Sequence, residues 1–100
     1  MSETKTRAFF DSIYNRGPTV DSMFTALSAT HFMVYELVNR PGEISSLNVS
    51  VFSYETAEAK PGFRLNWNKR TGRAIYNDEQ ETSYAEAVNR ATEFLSCTYC

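Results

Sequence analysis

The chain of 100 residues has only two cysteines and one histidine, and it has no apolar run of the ~20 residues that a membrane helix requires. Cys97, Cys100 and the distant His31 are too few to complete the four-ligand shell of a zinc ion. The start, Met-Ser-Glu-Thr-Lys, lacks the basic and apolar segments of a secretion signal. We therefore expect a cytoplasmic protein that has no metal site and no contact with a membrane.

Catalytic motifs are absent as well. The four glycines lie singly at positions 17, 42, 62 and 72, so no glycine-rich phosphate loop occurs, and no Gly-x-Ser-x-Gly elbow is present. Histidine titrates near neutral pH, which makes His31 the natural general base. Because it lies among apolar residues with no orienting group nearby in sequence, we interpret it as a structural histidine. The sequence predicts no enzyme, no catalytic residue and no cofactor.

The two cysteines and the acidic run also have structural interpretations that involve no catalysis. Cys97 and Cys100 follow a predicted helix rather than open one, so we expect reduced thiols without redox function, while a disulfide or a metal site completed by other ligands stays the alternative. The acidic run at residues 78–81 precedes the same helix, where carboxylates are solvated and complement the helix dipole.

The length and the composition of 42% hydrophobic and 14% aromatic residues predict one compact domain over residues 1–100. A first helix is predicted from near Ser2 or Thr4 to Gly17-Pro18, where glycine caps it and proline stops it.

A second helix is predicted over 19–39, because apolar residues from Val20 to Val38 recur at helical spacing. Pro41 ends it, since the residue before a proline is pushed out of helical geometry. The alternative is a strand over 31–38, which is rich in aromatic and branched residues, with the helix ending near Ala29.

Three strands follow. In them the apolar residues recur at every second position instead of at helical spacing. Leu47, Val49 and Val51 form the first alternating series, and a second series runs from Phe63 to Trp67. Turn residues at 59–62 and 69–72 connect them to a third short strand near 73–76, which predicts an antiparallel meander.

The last helix begins with Ser83 and Glu86, which match a capping box, and continues with apolar residues at helical spacing. The predicted fold class is therefore α+β: two N-terminal helices, a three-stranded antiparallel meander, and a C-terminal helix packed on one face of the sheet.

Charge is distributed unevenly, and this feature points to a binding surface. The net charge is only −2, yet five of the ten basic residues lie in residues 60–77, which contain no acid. Two aromatic side chains, Phe52 and Tyr54, are also expected on the outer face of the sheet beside Arg64. Such a combination of tyrosine, phenylalanine and arginine resembles the hot spots of protein interfaces. The candidate partner-binding residues are Phe52, Tyr54, Arg64, Lys69, Arg70 and Arg73.

Two other interpretations of these residues remain open. The basic hairpin, residues 60–76, could instead be an edge of the sheet whose charges prevent aggregation with other strands. The sheet could also be covered on both faces, or a bulge could reverse which side chains face outward.

The order of three strands and a helix resembles the double-stranded-RNA-binding fold, with Ser83-Tyr84-Ala85-Glu86-Ala87 at the start of its last helix. Tyr84 and Glu86 stand where that family has cations. In size, mild acidity and aromatic content the chain also resembles small phage or mobile-element accessory proteins, which block host defence or host enzymes by binding.

Together these features predict a non-enzymatic interaction protein, in the form of a phage-encoded inhibitor that binds a larger host protein or nucleoprotein complex through its sheet face and basic hairpin. The alternative is a nucleic-acid-binding or regulatory module that uses the same hairpin, residues 60–76.

Overall fold

The computed structural model describes residues 3–15, 19–40 and 44–98, which form an antiparallel sheet preceded and followed by a helix. The six strands lie in sequence order, so each pairs with the next. The elements are α1 (Glu3–Asn15), β1 (Thr19–Ala26), β2 (His31–Asn39), β3 (Ser45–Ser53), β4 (Ala59–Asn68), β5 (Arg73–Tyr76), β6 (Thr82–Ser83) and α2 (Tyr84–Thr98).

The predicted architecture of two N-terminal helices and a three-stranded meander is wrong. Helix α1 forms where the sequence predicts it, although Gly17-Pro18 lies outside the described residues. The predicted second helix is instead the hairpin of β1 and β2, which pair without interruption from Thr19↔Asn39 to Ala26↔Phe32. The alternative strand at 31–38 matches β2, but the helix that it placed before Ala29 does not form.

The reason for this correction lies in the burial of β2 and in the turn before it. Met33, Tyr35 and Leu37 are buried while the residues between them are more exposed, which is the period of a strand. The backbone N–H groups of Leu27 and Ser28 both donate to the carbonyl of His31, at 3.0 and 3.1 Å, and so close the turn.

The alternation predicted for the later strands is confirmed. The side chains on one face of β3 and β4 are buried: Leu47, Val49, Val51, Phe63, Leu65 and Trp67. The register shifts between Val49 and Val51, where β4 carries an extra residue. A Cβ atom at Gly62 would lie 1.9 Å from the Val49 carbonyl oxygen, so this bulge requires glycine.

Both helices cover this buried face. From α1, Phe10 and Ile13 are fully buried, and the Phe9 ring lies 5.0 Å from that of Tyr35. The Tyr84 hydroxyl at the start of α2 donates to the Phe10 carbonyl at 2.9 Å, which ties the two helices together. Apolar residues of α2 complete the core: Ala87, Val88, Ala91 and Leu95.

One of the two hydrogen bonds of the predicted capping box is present at the start of α2. Ser83 Oγ accepts the Glu86 backbone N–H at 3.1 Å, as a cap at the start of a helix should. The chain therefore leaves the sheet at β6 and enters α2 at once, which places that helix beside β5.

Candidate binding surface

The side of β2–β5 that faces away from the helices is called the open face here. Its side chains alternate with those of the core: Phe32, Val34, Glu36, Val38, Ser46, Asn48, Ser50, Phe52, Arg64, Asn66, Asn68, Arg73 and Ile75. None of these side chains is buried, whereas each has at least one buried neighbour along its strand. Within the described residues, the helices therefore leave one face of the sheet accessible.

An aromatic cluster, formed by Phe32, Phe52 and Tyr54, occupies one end of the open face. The Phe32 and Phe52 rings lie opposite each other on β2 and β3, with centroids 5.6 Å apart and planes 24° apart. The Tyr54 ring lies 4.9 Å from Phe32 and is 54% exposed. Its backbone N–H donates to the Thr30 carbonyl at 3.0 Å, which fixes Tyr54 beside β2. The cluster is therefore held in place while much of Tyr54 stays accessible.

Arg64 lies near the middle of the open face. Its Nε donates to Asn48 Oδ1 on β3 at 2.9 Å, and its Nη1 lies 3.8 Å from Asp78 Oδ2. The side chain remains 54% exposed. Exposed ion pairs contribute only ~0–1 kcal/mol, so a carboxylate of a partner could replace Asp78 at little cost.

Other cations of the basic hairpin are also close to acids. Lys60 Nζ lies 3.4 Å from Glu58, and Arg73 Nε lies 3.2 Å from Glu81 Oε1. Arg73 Nη2 also donates to the Glu81 carbonyl at 3.5 Å. The positive charge that is concentrated in the sequence is therefore partly balanced in space by acids from outside the segment.

Lys69 and Arg70 lie at the turn between β4 and β5, but they do not extend the open face in the same way. Lys69 Nζ lies 5.4 Å from the centre of the Tyr14 ring, so it reaches toward α1 on the helix side. The Arg70 backbone N–H donates to Asn68 Oδ1 at 2.9 Å, and the residue is exposed at the end of the sheet.

The six predicted residues consequently do not form a single patch. Phe52 is four residues from Asn48, the partner of Arg64, and Arg64 is four residues from Asn68, the partner of Arg73. At ~3.3 Å per residue, each step spans about 13 Å. Aromatic residues therefore lie at one end of the sheet and Arg73 at the other, with Arg64 between them.

A shallow cavity of about 190 Å³ lies at the Arg73 end. Ile44, which is 61% exposed, and Ile75 provide apolar walls, while Asn66 and Asn68 contribute amides. It lies outside the aromatic cluster and could receive one side chain of a partner that covers the sheet.

His31 takes part in the turn before β2. Its Nδ1 lies 2.8 Å from Thr30 Oγ1, while Ser28 Oγ accepts the backbone N–H groups of Thr30 and His31, both at 3.2 Å. These contacts give His31 a structural role in the turn. The Cys97 side chain and Cys100 lie outside the described part of the chain.

The described ranges hold neither a cluster of possible metal ligands nor a helix of membrane-spanning character. They contain no group of three or more His, Cys, Asp or Glu residues placed to hold a metal ion. Neither helix in those ranges has the length and apolar character needed to cross a bilayer.

Sequence reasoning missed Phe32, because it placed that residue in a helix. The signal that could have found it is the period-two pattern from His31 to Asn39, which puts Phe32 on the same face as Val34 and directly opposite Phe52. It also missed the contribution of Ile44 to the cavity.

Comparison with known proteins provides no relative: no family model, curated protein or solved structure matches the chain.

Proposed function

We propose that this is a non-enzymatic interaction protein that docks on a protein partner through the open face, with the aromatic cluster as its anchor. The observation that carries the proposal is the position of Phe32, Phe52 and Tyr54 on the face that the helices leave uncovered. Rings that are already fixed bury apolar area with little further loss of entropy, as anchors in protein interfaces do.

Polar groups on the same face, about 13 Å along the strands from the cluster, support a protein partner. Arg64 and Asn48 present hydrogen-bonding groups on adjacent strands, and Arg64 can exchange its long contact with Asp78 for a carboxylate of the partner. Such a surface combines an apolar anchor at one end with hydrogen-bonding groups toward its middle, and protein interfaces likewise combine buried apolar side chains with polar ones.

The specific form of this proposal is an inhibitor of a larger host complex, acting in the cytoplasm. It rests on the resemblance to phage accessory proteins given above. Its support from the fold is the open face itself, which carries the exposed aromatic side chain of Tyr54 and the exposed guanidinium of Arg64.

Capture from a lysate of the cells in which the protein acts tests the anchor. Hot-spot truncations cost ~2 kcal/mol or more, so Phe52→Ala/Tyr54→Ala should reduce recovery of the partner at least tenfold relative to wild type. Asn89→Ala/Glu93→Ala, which truncates two exposed residues of α2, is the matched control and should retain capture. Equal recovery by all three proteins would refute the proposal.

A second candidate is single-stranded nucleic acid, because aromatic rings on a sheet can stack with bases and Arg64 and Asn66 could contact their edges or phosphates. Phosphate neutralisation makes affinity fall steeply with salt. Fluorescence anisotropy with labelled oligonucleotides at two salt concentrations separates the candidates. Binding that weakens steeply with salt and requires Arg64, Arg70 and Arg73 favours nucleic acid, whereas no binding removes it.

A further inference from the structure

We propose that the protein forms a two-fold dimer in which β1 of one copy pairs antiparallel with β1 of a second copy, extending the sheet across the interface. This inference is independent of the proposed function, since it uses the edge of the sheet rather than its open face. It begins with the two edges, which differ greatly in length.

The β1 edge is long and regular. Thr19–Ala26 pairs with β2 over eight consecutive residue pairs without a register shift, and β2 is the only strand beside it in the described sheet. Alternate residues of an antiparallel edge strand direct their N–H and C=O groups away from the sheet, so β1 presents a row of such groups.

In its sequence and register, this edge lacks several of the features that usually prevent strand addition. Residues 19–26 contain no lysine, arginine or proline, and no bulge interrupts them. Asp21 is the one charged residue. An antiparallel pairing centred on Ser22 places Asp21 opposite Met23 of the other copy, so the two aspartates do not oppose each other.

The opposite edge of the described sheet is too short to pair with β1 of another copy. Strand β6 contains only Thr82 and Ser83 and continues directly into α2, so addition of β1 to β6 of another copy would pair two residues at most. Within the described sheet, the only edge that matches the length of β1 is the β1 edge of a second copy. Such pairing is symmetric and gives a closed dimer rather than a filament.

Sedimentation and light scattering of the full chain test this inference. Wild type should show a concentration-dependent mass that rises to twice 11.4 kDa. Ser22→Lys should raise the dimer dissociation constant at least about tenfold, because two cations would oppose each other across the two-fold axis. The fold should persist, since the new lysine lies opposite Glu36 of its own β2.

Ser50→Lys is the matched control, because it adds the same charge to an exposed serine in the centre of the sheet and should leave the dimer intact. Amide hydrogen exchange locates the contact: in the dimer all of β1 should be protected, whereas dilution should expose alternate amides. A wild-type monomer at all concentrations, equal mass for wild type and Ser22→Lys, or addition only of another protein's segment to β1 would overturn the inference.

Discussion

Phe63 and Phe52 are the same residue type on adjacent strands of one sheet, but they lie on opposite faces. Phe63 is 5% exposed and contacts the rings of Phe10, Tyr76 and Phe94 beneath the helices. Phe52 is only partly buried, and its ring contact is with Phe32 on the open face.

The difference shows how one alternating pattern can serve two purposes. On the covered face, helices surround each aromatic ring, so removal of a ring leaves a cavity. On the open face, the rings contact each other and solvent, so folding has less need of them. Aromatic residues that contribute little to the core remain available to bind a partner.

The largest expected effect tests this comparison directly. Phe63→Ala should lower the free energy of unfolding by ~3–5 kcal/mol, because it removes a buried ring from the core. Phe52→Ala, the matched variant, should lower it by no more than about 1 kcal/mol, since less area is lost and solvent fills the site. Denaturant unfolding of the two variants and wild type measures both values. Similar losses would mean that Phe52 belongs to the core and that the two faces do not differ.

The bulge at Gly62 tests the same comparison. It lies directly before the part of β4 in which Phe63 faces the core and Arg64 faces outward. Gly62→Ala should lower the free energy of unfolding by ~1–3 kcal/mol through the clash of its Cβ with the Val49 carbonyl. Gly72→Ala is a useful control: no atom lies within 4 Å of its Cβ, so its cost arises from the φ of 71° alone. Unfolding curves check both, and an unchanged stability of Gly62→Ala would contradict the close approach.

A smaller effect concerns the polar contact between the two helices on the covered face. Tyr84→Phe should lower the free energy of unfolding by ~1 kcal/mol at neutral pH, because its hydrogen bond to the Phe10 carbonyl is lost. Burial, with smaller contributions from Asp11 and Tyr14, raises the pKa of the Tyr84 hydroxyl well above its usual range.

This shift in pKa predicts the direction of the alkaline response. An unfolded tyrosine ionises at pH ~10, while native Tyr84 keeps its proton, so stability falls as pH rises above that value. Tyr84→Phe should make the decline shallower. It should not abolish it, because burial also raises the pKa of Tyr76. Unfolding measured from pH 7 upward checks this, and parallel curves for wild type and Tyr84→Phe would contradict it.

The elements that the sequence predicts correctly are those that each have a single dominant pattern. The alternation from Leu47 to Trp67 identified the buried face of β3 and β4, and Ser83 marked the start of α2. In each case local pattern and tertiary environment agree.

The segment 19–39 was mispredicted because its apolar residues satisfy helical spacing as well as strand spacing. The turn at Leu27–Thr30 has no glycine or proline to signal a hairpin, and it is closed by the His31 carbonyl and by Ser28 Oγ. Pairing of β2 with both β1 and β3 then outweighs local helical preference.

The candidate site was predicted as residue types but not as an arrangement. Phe52 and Arg64 could be assigned to the outer face by alternation, whereas register decides that they lie at different positions along it. The acids that approach the basic hairpin, Glu81 and Asp78, come from a segment whose path the sequence does not specify.

Hydroxyl-radical footprinting of the protein, free and bound to its captured partner, tests the central claim most directly. The account predicts that Phe52 and Tyr54 are oxidised in the free protein and protected in the complex, while buried Phe63 reacts little in either state. Unchanged oxidation of Phe52 and Tyr54 on binding, with protection appearing on the outer surfaces of α1 and α2 instead, would contradict it.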